Sequence, residues 1–458
     1  MIGFDVASLD GLCRSRLTDP CPSASAHGIM ETGPEVRREP ERLVPISHAV
    51  DVLVAGGGPA GIAAAVASAR EGADTLLVER YGYLGGMVTG AHVVWVLGMG
   101  DGFRQIARGF AQDVRDRLEP LGAVKKPNVC GDYTVDPEVF KWQAFEMIEE
   151  LGGTVLLHTM ACDPIVEDNA VRGVFTESKA GRRAIRAKLV IDASADGDIA
   201  FRAGCGYDNE THDVSLVANV AGVDKAREQA FAAESPERFK QIRAETGRLN
   251  GGAMVGQARY LKNIDATEPQ ALTEAETVLR RDMFAALHHL RAHMPGWENA
   301  MIRETLPQLG VRQSRRIHTE YIVTDTDLRE SRHFDDSVAR LGAYLLGYKL
   351  YDPNGLDYDV PYRCMVPREI DGLLLAGRCV GSDYLANNTL RLIVPCFATG
   401  QAAGIAAALA ARQGVAPRNV PVRDLQDRLV EQGAYLSAEG QEPAPLPGHS
   451  APIQVTDS

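Results

Sequence analysis

Short apolar runs separated by glycine turns mark the first half of the chain. Val52 to Ala55 is apolar throughout, and Gly56, Gly57 and Gly58 follow it. A stretch of small residues runs from Pro59 to Glu71 and stops at Gly72; a second apolar run, Thr75 to Val78, ends in Glu79. Brief apolar runs bounded by turn signals read as buried strands, and a proline at the first position suits a helix start. The stretch therefore predicts strand, tight turn, helix and strand. Gly56, Gly58 and Gly61 stand in G-x-G-x-x-G spacing. In such a unit the first glycine permits the turn, the second admits a pyrophosphate, and the third lets helix pack on strand. The helix N-terminus offers N–H groups and partial positive charge to phosphate. Glu79 lies where an acid would meet a ribose hydroxyl. The unit predicts dinucleotide binding.

Further along, His92 to Leu97 reads as a buried strand, Gly102 to Leu118 as a helix, and Lys125 to Val135 as a loop. Asp136–Pro137 is a cap and first-turn proline, and Phe140, Ala144, Met147, Ile148 and Leu151 make one apolar stripe ended by Gly152–Gly153. Thr154 to Thr159 reads as a strand, Val171 to Thr176 with Arg183 to Ala187 as a hairpin, and Lys188 to Asp192 as a further strand. Ser215 to Val223 predicts a strand, Lys225 to Arg248 and Thr273 to His293 helices, and Leu373 to Gly377 a buried strand. Arg391 to Gly404 leads into a helix, and Val422 to Gln432 reads as a closing surface helix. Residues 1–47 and 437–458 carry no sustained period and read as tails, the latter disordered.

Four stretches carry a resemblance. Glu79 and Arg80 followed by Gly85, Gly86 and Met87 resembles flavoproteins of the glutathione-reductase-like fold. With DGLLLAGRCVGSDYLANNTLRLIVPCFATGQAAGIAAA (Asp371 to Ala408), PQLGVRQSRRI around Arg312, and PYRCMVP, the chain resembles FAD-dependent oxidoreductases related to the fumarate reductase and succinate dehydrogenase flavoproteins. The resemblance implies an α/β fold: a Rossmann-like, glutathione-reductase-like FAD-binding domain with an inserted α+β substrate domain. It assigns 48–90, 136–214 and 356–415 to the first, 91–135 and 215–355 to the second, and 416–436 to a closing helix. It implies FAD contacts at Gly56, Gly58, Pro59, Ala60, Gly61, Glu79, Arg80, Gly85, Gly86 and Met87. Further contacts are expected at Met160 and Ala161 near the adenine, and at Ala193, Ser194 and Asp198, Gly377 and Arg378. Thr399, Gly400 and Gln401 are expected at a helix N-terminus facing the flavin. Tyr81 and Tyr83 stand where covalent relatives carry a linking histidine, so the FAD is expected to be non-covalent. Relatives begin shortly before the first strand, which makes Met30 an alternative start.

Composition narrows the class. The 458 residues are 45% hydrophobic and 24% charged, and the formal charge of −13 argues against nucleic acid and against anionic membrane surfaces as partners. No uninterrupted apolar run is evident at the ~18 residues of a membrane helix. None of the eight cysteines forms a C-x-x-C pair, so reduced thiols and a cytoplasmic location are expected. No histidine–acid spacing suggests a metal.

Chemistry is sought among a few residues. Arg312, Arg315 and Arg316 crowd together, either to hold an anionic or carbonyl-bearing small substrate or to pair with Glu304, Glu320 or Asp325. Relatives carry histidines before the leucine–arginine pair, where Tyr384 and Asn387 stand here. Tyr384, Asn387, Arg391 and Arg316 are therefore the substrate-side expectations, with Asp383 an alternative partner for Arg391. His92 is either a base, a flavin attachment point or an interior histidine. A second dinucleotide fingerprint is absent, so hydride transfer between an organic substrate and flavin N5 is the leading expectation. An NAD(P)H-using monooxygenase or ene-reductase, or an electron-carrying subunit without catalysis of its own, are the alternatives. Oligomeric state is not legible.

Overall fold

The computed structural model describes residues 40–125, 131–246, 252–345, 350–352 and 355–436. The expectations for residues 1–39, including the start at Met30, and for 437–458 lie outside them. From Val44 onward the chain forms one unit. Its central strand is β1 (Ile46–Ala55), followed by helix α1 (Pro59–Arg70) and strand β2 (Thr75–Val78), which pairs parallel to β1 with Val52 opposite Thr75. Helix α2 (Pro137–Glu149) leads to strand β3 (Thr154–Leu156), parallel to β2. Strands β4 (Met160–Glu167), β5 (Ala170–Glu177) and β6 (Arg183–Asp192) form an antiparallel meander. β6 also lies parallel to β1, so the two segments expected as Arg183 to Ala187 and Lys188 to Asp192 are one strand serving two partners. Its first half mixes exposed and buried positions and its second half is continuously buried, which is why they read as separate elements.

The second layer begins with strand β7 (His212–Ala221), which pairs with β8 (Gly252–Ile264) and β9 (Met301–Thr305), all antiparallel. Helix α3 (Pro269–His293) covers this sheet and closes a separate apolar core containing Leu279, Met283, Leu290 and fully buried Trp297. The chain then returns to the first sheet through β10 (Leu373–Leu375), parallel to β6. It continues into helices α4 (Tyr384–Leu390) and α5 (Ile393–Gln413).

Helices α1 and α5 are apolar nearly all round because both are interior. Their small residues let the backbones touch: a Cβ at Gly400 would lie 2.2 Å from Ala60 O, and one at Gly404 2.3 Å from Ala64 O. The expectation that no segment has membrane-helix character is corrected here. Helix α5 has 21 residues and is apolar enough by composition, but 94% of its most apolar window is buried inside the protein.

Other departures have local causes. The helix expected from Gly102 begins only at Phe110, because the Asp101 carboxylate accepts from Phe103 N and Arg104 N and holds a turn instead. The strand expected at His92 to Leu97 is only Trp95–Val96; His92 itself has φ +48°. Lys225 to Arg248 is two helices, Lys225–Glu234 and Pro236–Thr246, since Pro236 forces Ser235 out of helical geometry. The loop expected at Lys125 to Val135 contains a strand, Tyr133–Val135, in its described part.

Two buried acids brace local structure. Asp132 is fully buried and accepts from Gly98 N (2.9 Å), Met99 N (3.0 Å) and Tyr351 OH (2.6 Å). Asp132→Ala would leave those donors unpaired and is expected to cost about 3 kcal/mol in urea unfolding; a loss under about 0.5 kcal/mol would contradict the assignment. Glu228 accepts from Trp297 Nε1 and Lys225 Nζ, both at 2.9 Å, and pairs with Arg243. Burial pushes its carboxyl up, but these donors outweigh burial and hold it below its ordinary 4.5. Its contribution is therefore complete above pH 4.5 and lost as pH falls through the lower folded value. Glu228→Gln should flatten the acid limb of a stability–pH curve, and an unchanged limb would count against this.

Candidate functional site

The turn after β1 is shaped by close backbone approach. Gly56 has φ +112°, and a Cβ there would lie 2.4 Å from Ala193 O at the end of β6. A Cβ at Gly61 would lie 1.8 Å from Gly56 O. Gly58 differs: it has φ −75°, and no atom would come nearer than 3.9 Å to its Cβ. It begins α1 with no side-chain cap, so the first-turn N–H groups have no side-chain acceptor there. Gly86, at φ +49°, comes so close that its Cβ would lie 2.8 Å from Gly58 Cα, and Gly85 N bonds Gly57 O at 2.8 Å. Pro59, Ala60 and Met87 complete this rim as the first residues of their helices.

Glu79 is buried at the end of β2, accepting from Gly57 N (2.7 Å) and Tyr81 N (2.9 Å). Thr159 N bonds Glu79 O and His158 N bonds Tyr81 O, which brings Met160 and Ala161 beside the acid. Arg80 is exposed and lies over the Tyr81 ring, which stacks on Tyr83. These residues form one continuous strip along the ends of β1, β2 and β3. The glycine cradle and uncapped helix start fit the pyrophosphate of a dinucleotide, and Glu79 fits a ribose.

A second strip follows the ends of β6 and β10. Asp192, fully buried, accepts from Ser194 Oγ (2.6 Å) and from Ile199 N and Ala200 N (2.9 Å each), so it caps the helix Asp198–Arg202. Burial raises its carboxyl above the ordinary value despite these donors. Ser194 Oγ in turn accepts from Asp198 N, and Ala193 N bonds Ala55 O. Arg378 is buried and donates to Ala195 O (3.2 Å), Val311 O (2.9 Å) and Asp196. Gly377 has φ +83° and its N–H donates to Thr399 Oγ1 at 3.1 Å.

The expectation for Thr399, Gly400 and Gln401 needs correction. Helix α5 starts at Ile393, so these three lie about two turns inside it. Thr399 also donates to Pro395 O, Gly400 packs on Ala60, and Gln401 accepts from Phe110 N and donates to Gln432 O. The residues at the actual helix start are Leu392, Ile393 and Val394.

The arginine group divides. Arg315 pairs with Asp198 (3.1 Å) and sits 4.1 Å over the Phe201 ring; Arg316 is buried, paired with Glu210 and bonded to Ser382 O. Neither uses the acids considered from sequence: Glu304 accepts from Asn219, Glu320 holds Arg418, and Asp325 pairs with Arg329. Arg312 lies 5.1 Å over the Tyr260 ring, and no carboxylate pairs with it among the described residues. Arg391, at the C-terminus of α4, also lacks an ion pair there, and its buried Nε has no partner. Asp383 caps α4 instead, accepting from Ala386 N. Burial, Arg312 and Arg378 together lower the Arg391 guanidinium to about 9.

His212 belongs to this cluster. Burial, Arg391 and Arg312 push its imidazole below 6.5. Nδ1 accepts from Asp213 N at 2.6 Å, and its ring stacks on Tyr384 at 5.7 Å. Arg316 lies on the Tyr384 ring at 5.8 Å. Asn387 is fully buried and donates to Arg378 O and Ser382 Oγ, so it supports the loop before α4; its Oδ1 is left without a partner. Gln313 donates to Tyr384 O and Asn388 Oδ1, and its buried Oε1 also has none. Thus Tyr384, Arg391 and Arg316 come together with Arg312 and His212.

His92 does not join them. It lines a separate cavity with Asn219 and Glu304 at the opposite end of β7, and burial lowers its imidazole. Sequence reasoning missed His212, which carries no local motif, and Gln313, which sits beside the arginines it did single out. Among the described residues no group of histidine, cysteine and acidic side chains could hold a metal.

The sequence matches the family described as FAD dependent oxidoreductase over residues 51–429. A digeranylgeranylglycerophospholipid reductase from Methanoculleus marisnigri is 32% identical over 163 residues, 34% of this chain and 41% of the reductase. The chain therefore spans about two fifths of that relative's length. A thiamine thiazole synthase from Aeropyrum pernix is 30% identical over 209 residues, 45% of this chain and 71% of the synthase. The solved structure of a geranylgeranyl bacteriochlorophyll reductase-like protein from Thermoplasma acidophilum covers 85% of this chain and 84% of its own, at 15% identity and a TM-score of 0.38.

Proposed function

The chain belongs to the FAD-dependent oxidoreductase family with FAD as its cofactor, and on that premise we propose that it exchanges a hydride with a small anionic organic substrate bound at α4. FAD supplies the hydride acceptor or donor. The reading includes a glutathione-reductase-like FAD-binding part and an inserted α+β cap, with the divisions expected from sequence, kinship with fumarate reductase-type flavoproteins, and a cytoplasmic setting. Gly56, Gly58, Gly61 and the first turn of α1 would hold the pyrophosphate, and Glu79 the adjoining ribose. The observation that carries the substrate assignment is the cluster of unsatisfied groups. Arg312 and Arg391 lack carboxylate partners among the described residues, and three buried polar atoms nearby, Arg391 Nε, Asn387 Oδ1 and Gln313 Oε1, have no partner. A buried polar group is normally paired, so such a concentration points to a ligand. The two guanidiniums would hold a carboxylate or phosphate, and the Tyr384 hydroxyl would polarise a carbonyl or pass a proton.

Anaerobic mixing of the yellow protein with NADH, NADPH and a panel of hydroxy, amino and carboxylic acids tests the reading. Flavin bleaching by one of the acids and not by either nicotinamide is the expected result. Bleaching by NADH or NADPH alone would favour a second reading, reduction or oxygenation of an organic substrate, toward which the similarity to the reductases points.

A further inference from the structure

The cavity around His92 lies outside the arginine cluster. It encloses about 430 Å³ between the start of α2 and the end of β7, within the size range of small-molecule sites. Its apolar wall includes Val94 and Val223. Its polar wall is unusual in what it leaves undone. Asn219 is 7% exposed and its Nδ2 donates to Glu304 Oε1 at 2.6 Å, yet its buried Oδ1 has no hydrogen-bond partner. Leaving a buried amide oxygen unpaired costs about 1–3 kcal/mol. Glu304 is exposed and meets no cationic side chain in an ion pair among the described residues. His92 is held beside these acceptors at φ +48°, a conformation a histidine adopts uncommonly. Of the basic residues around the cavity, Lys225 is taken by Glu228 at 2.9 Å, and Arg303 is exposed.

We propose that this cavity binds a small molecule through a primary ammonium group, with Asn219 Oδ1 and the Glu304 carboxylate as acceptors and the ligand's apolar body against Val94 and Val223. An ammonium offers three donors and a positive charge, which matches one neutral acceptor, one carboxylate and an imidazole lone pair. An anion would leave the unpartnered acceptor Asn219 Oδ1 unsatisfied and would meet the Glu304 carboxylate. The cavity is distinct from the site at α4 and needs neither the substrate assigned there nor its chemistry.

Isothermal titration of the FAD-loaded protein with 2-phenylethylamine, phenylalanine and 3-phenylpropionate tests the proposal. The amine and the amino acid should bind saturably and the carboxylate should not. Asn219→Leu removes the acceptor while keeping the bulk, and Glu304→Gln removes the charge at an exposed position where folding is not at stake. Each should weaken amine binding by roughly tenfold or more, the equivalent of about one lost hydrogen bond to a charged group. Retained visible flavin absorbance in both variants reports an intact fold. The proposal is overturned if the amine does not bind, if 3-phenylpropionate binds equally well, or if Glu304→Gln leaves the amine's affinity unchanged.

Discussion

Gly58→Ala is expected to give a protein that folds as stably as its parent and binds FAD distinctly more weakly. Two glycines of the same motif make the contrast. At Gly61 an added Cβ would meet Gly56 O at 1.8 Å, so Gly61→Ala forces α1 away from β1 whether or not a cofactor is present. At Gly58 the protein gives no such reason. Its φ of −75° suits alanine, and the nearest atom to a new Cβ, Gly86 Cα, is 3.9 Å away. A ligand approaching between the start of α1 and Gly86 would account for the absence of a side chain at Gly58, as proposed for FAD. A pyrophosphate there requires the bare backbone. Gly58→Ala apoprotein should unfold within about 0.5 kcal/mol of the parent apoprotein, while FAD affinity falls by roughly tenfold or more, the scale of one lost charge-assisted hydrogen bond. Gly61→Ala should lose both stability, by about 1–3 kcal/mol, and FAD. Undiminished FAD binding by Gly58→Ala, measured by fluorescence quenching on apoprotein, would remove the cofactor from this turn.

The contrast also explains what the sequence could convey. The G-x-G-x-x-G spacing stated the turn, the helix and the acid in order, because each depends on residues within some thirty positions. Distant partners were less legible. Arg312, Arg315 and Arg316 are nearly adjacent, but strand and turn geometry send Arg315 to Asp198 and Arg316 to Glu210, while Arg312 lies over the Tyr260 ring with no carboxylate partner among the described residues. Nothing local distinguishes the three. Asn387 braces the loop before α4 through its amide N–H and leaves its Oδ1 without a partner, whereas His212 arrives from β7, a separation that no local motif spans. The helix start at Ile393 was masked by continuous apolarity from Leu392 through Phe397, which gives no boundary signal except Pro395.

Arg391→Met should reduce the rate of flavin reduction by an anionic substrate by about 30-fold to several-thousand-fold, the equivalent of roughly 2–5 kcal/mol for a buried charge partner. The same substitution should leave the unliganded protein as stable as the parent or more so, by on the order of 1 kcal/mol. These opposite signs follow from the surroundings. Arg391 Nε is enclosed without a partner, and burial together with Arg312 and Arg378 lowers the guanidinium from 12.5 to about 9. A side chain whose charged form is disfavoured in the folded state contributes no net stability through that charge. An arginine kept for the fold would behave in the reverse way: its removal would destabilise the protein and leave substrate affinity largely alone. At neutral pH the group is still charged, so an anion bound between Arg312 and Arg391 would relieve the unfavourable field. Arg391→Lys keeps the charge but loses the paired N–H geometry and should recover binding only in part. Stopped-flow reduction across the three proteins, with urea unfolding beside it, separates the cases. Loss of stability in Arg391→Met with normal reduction kinetics would move the substrate away from α4.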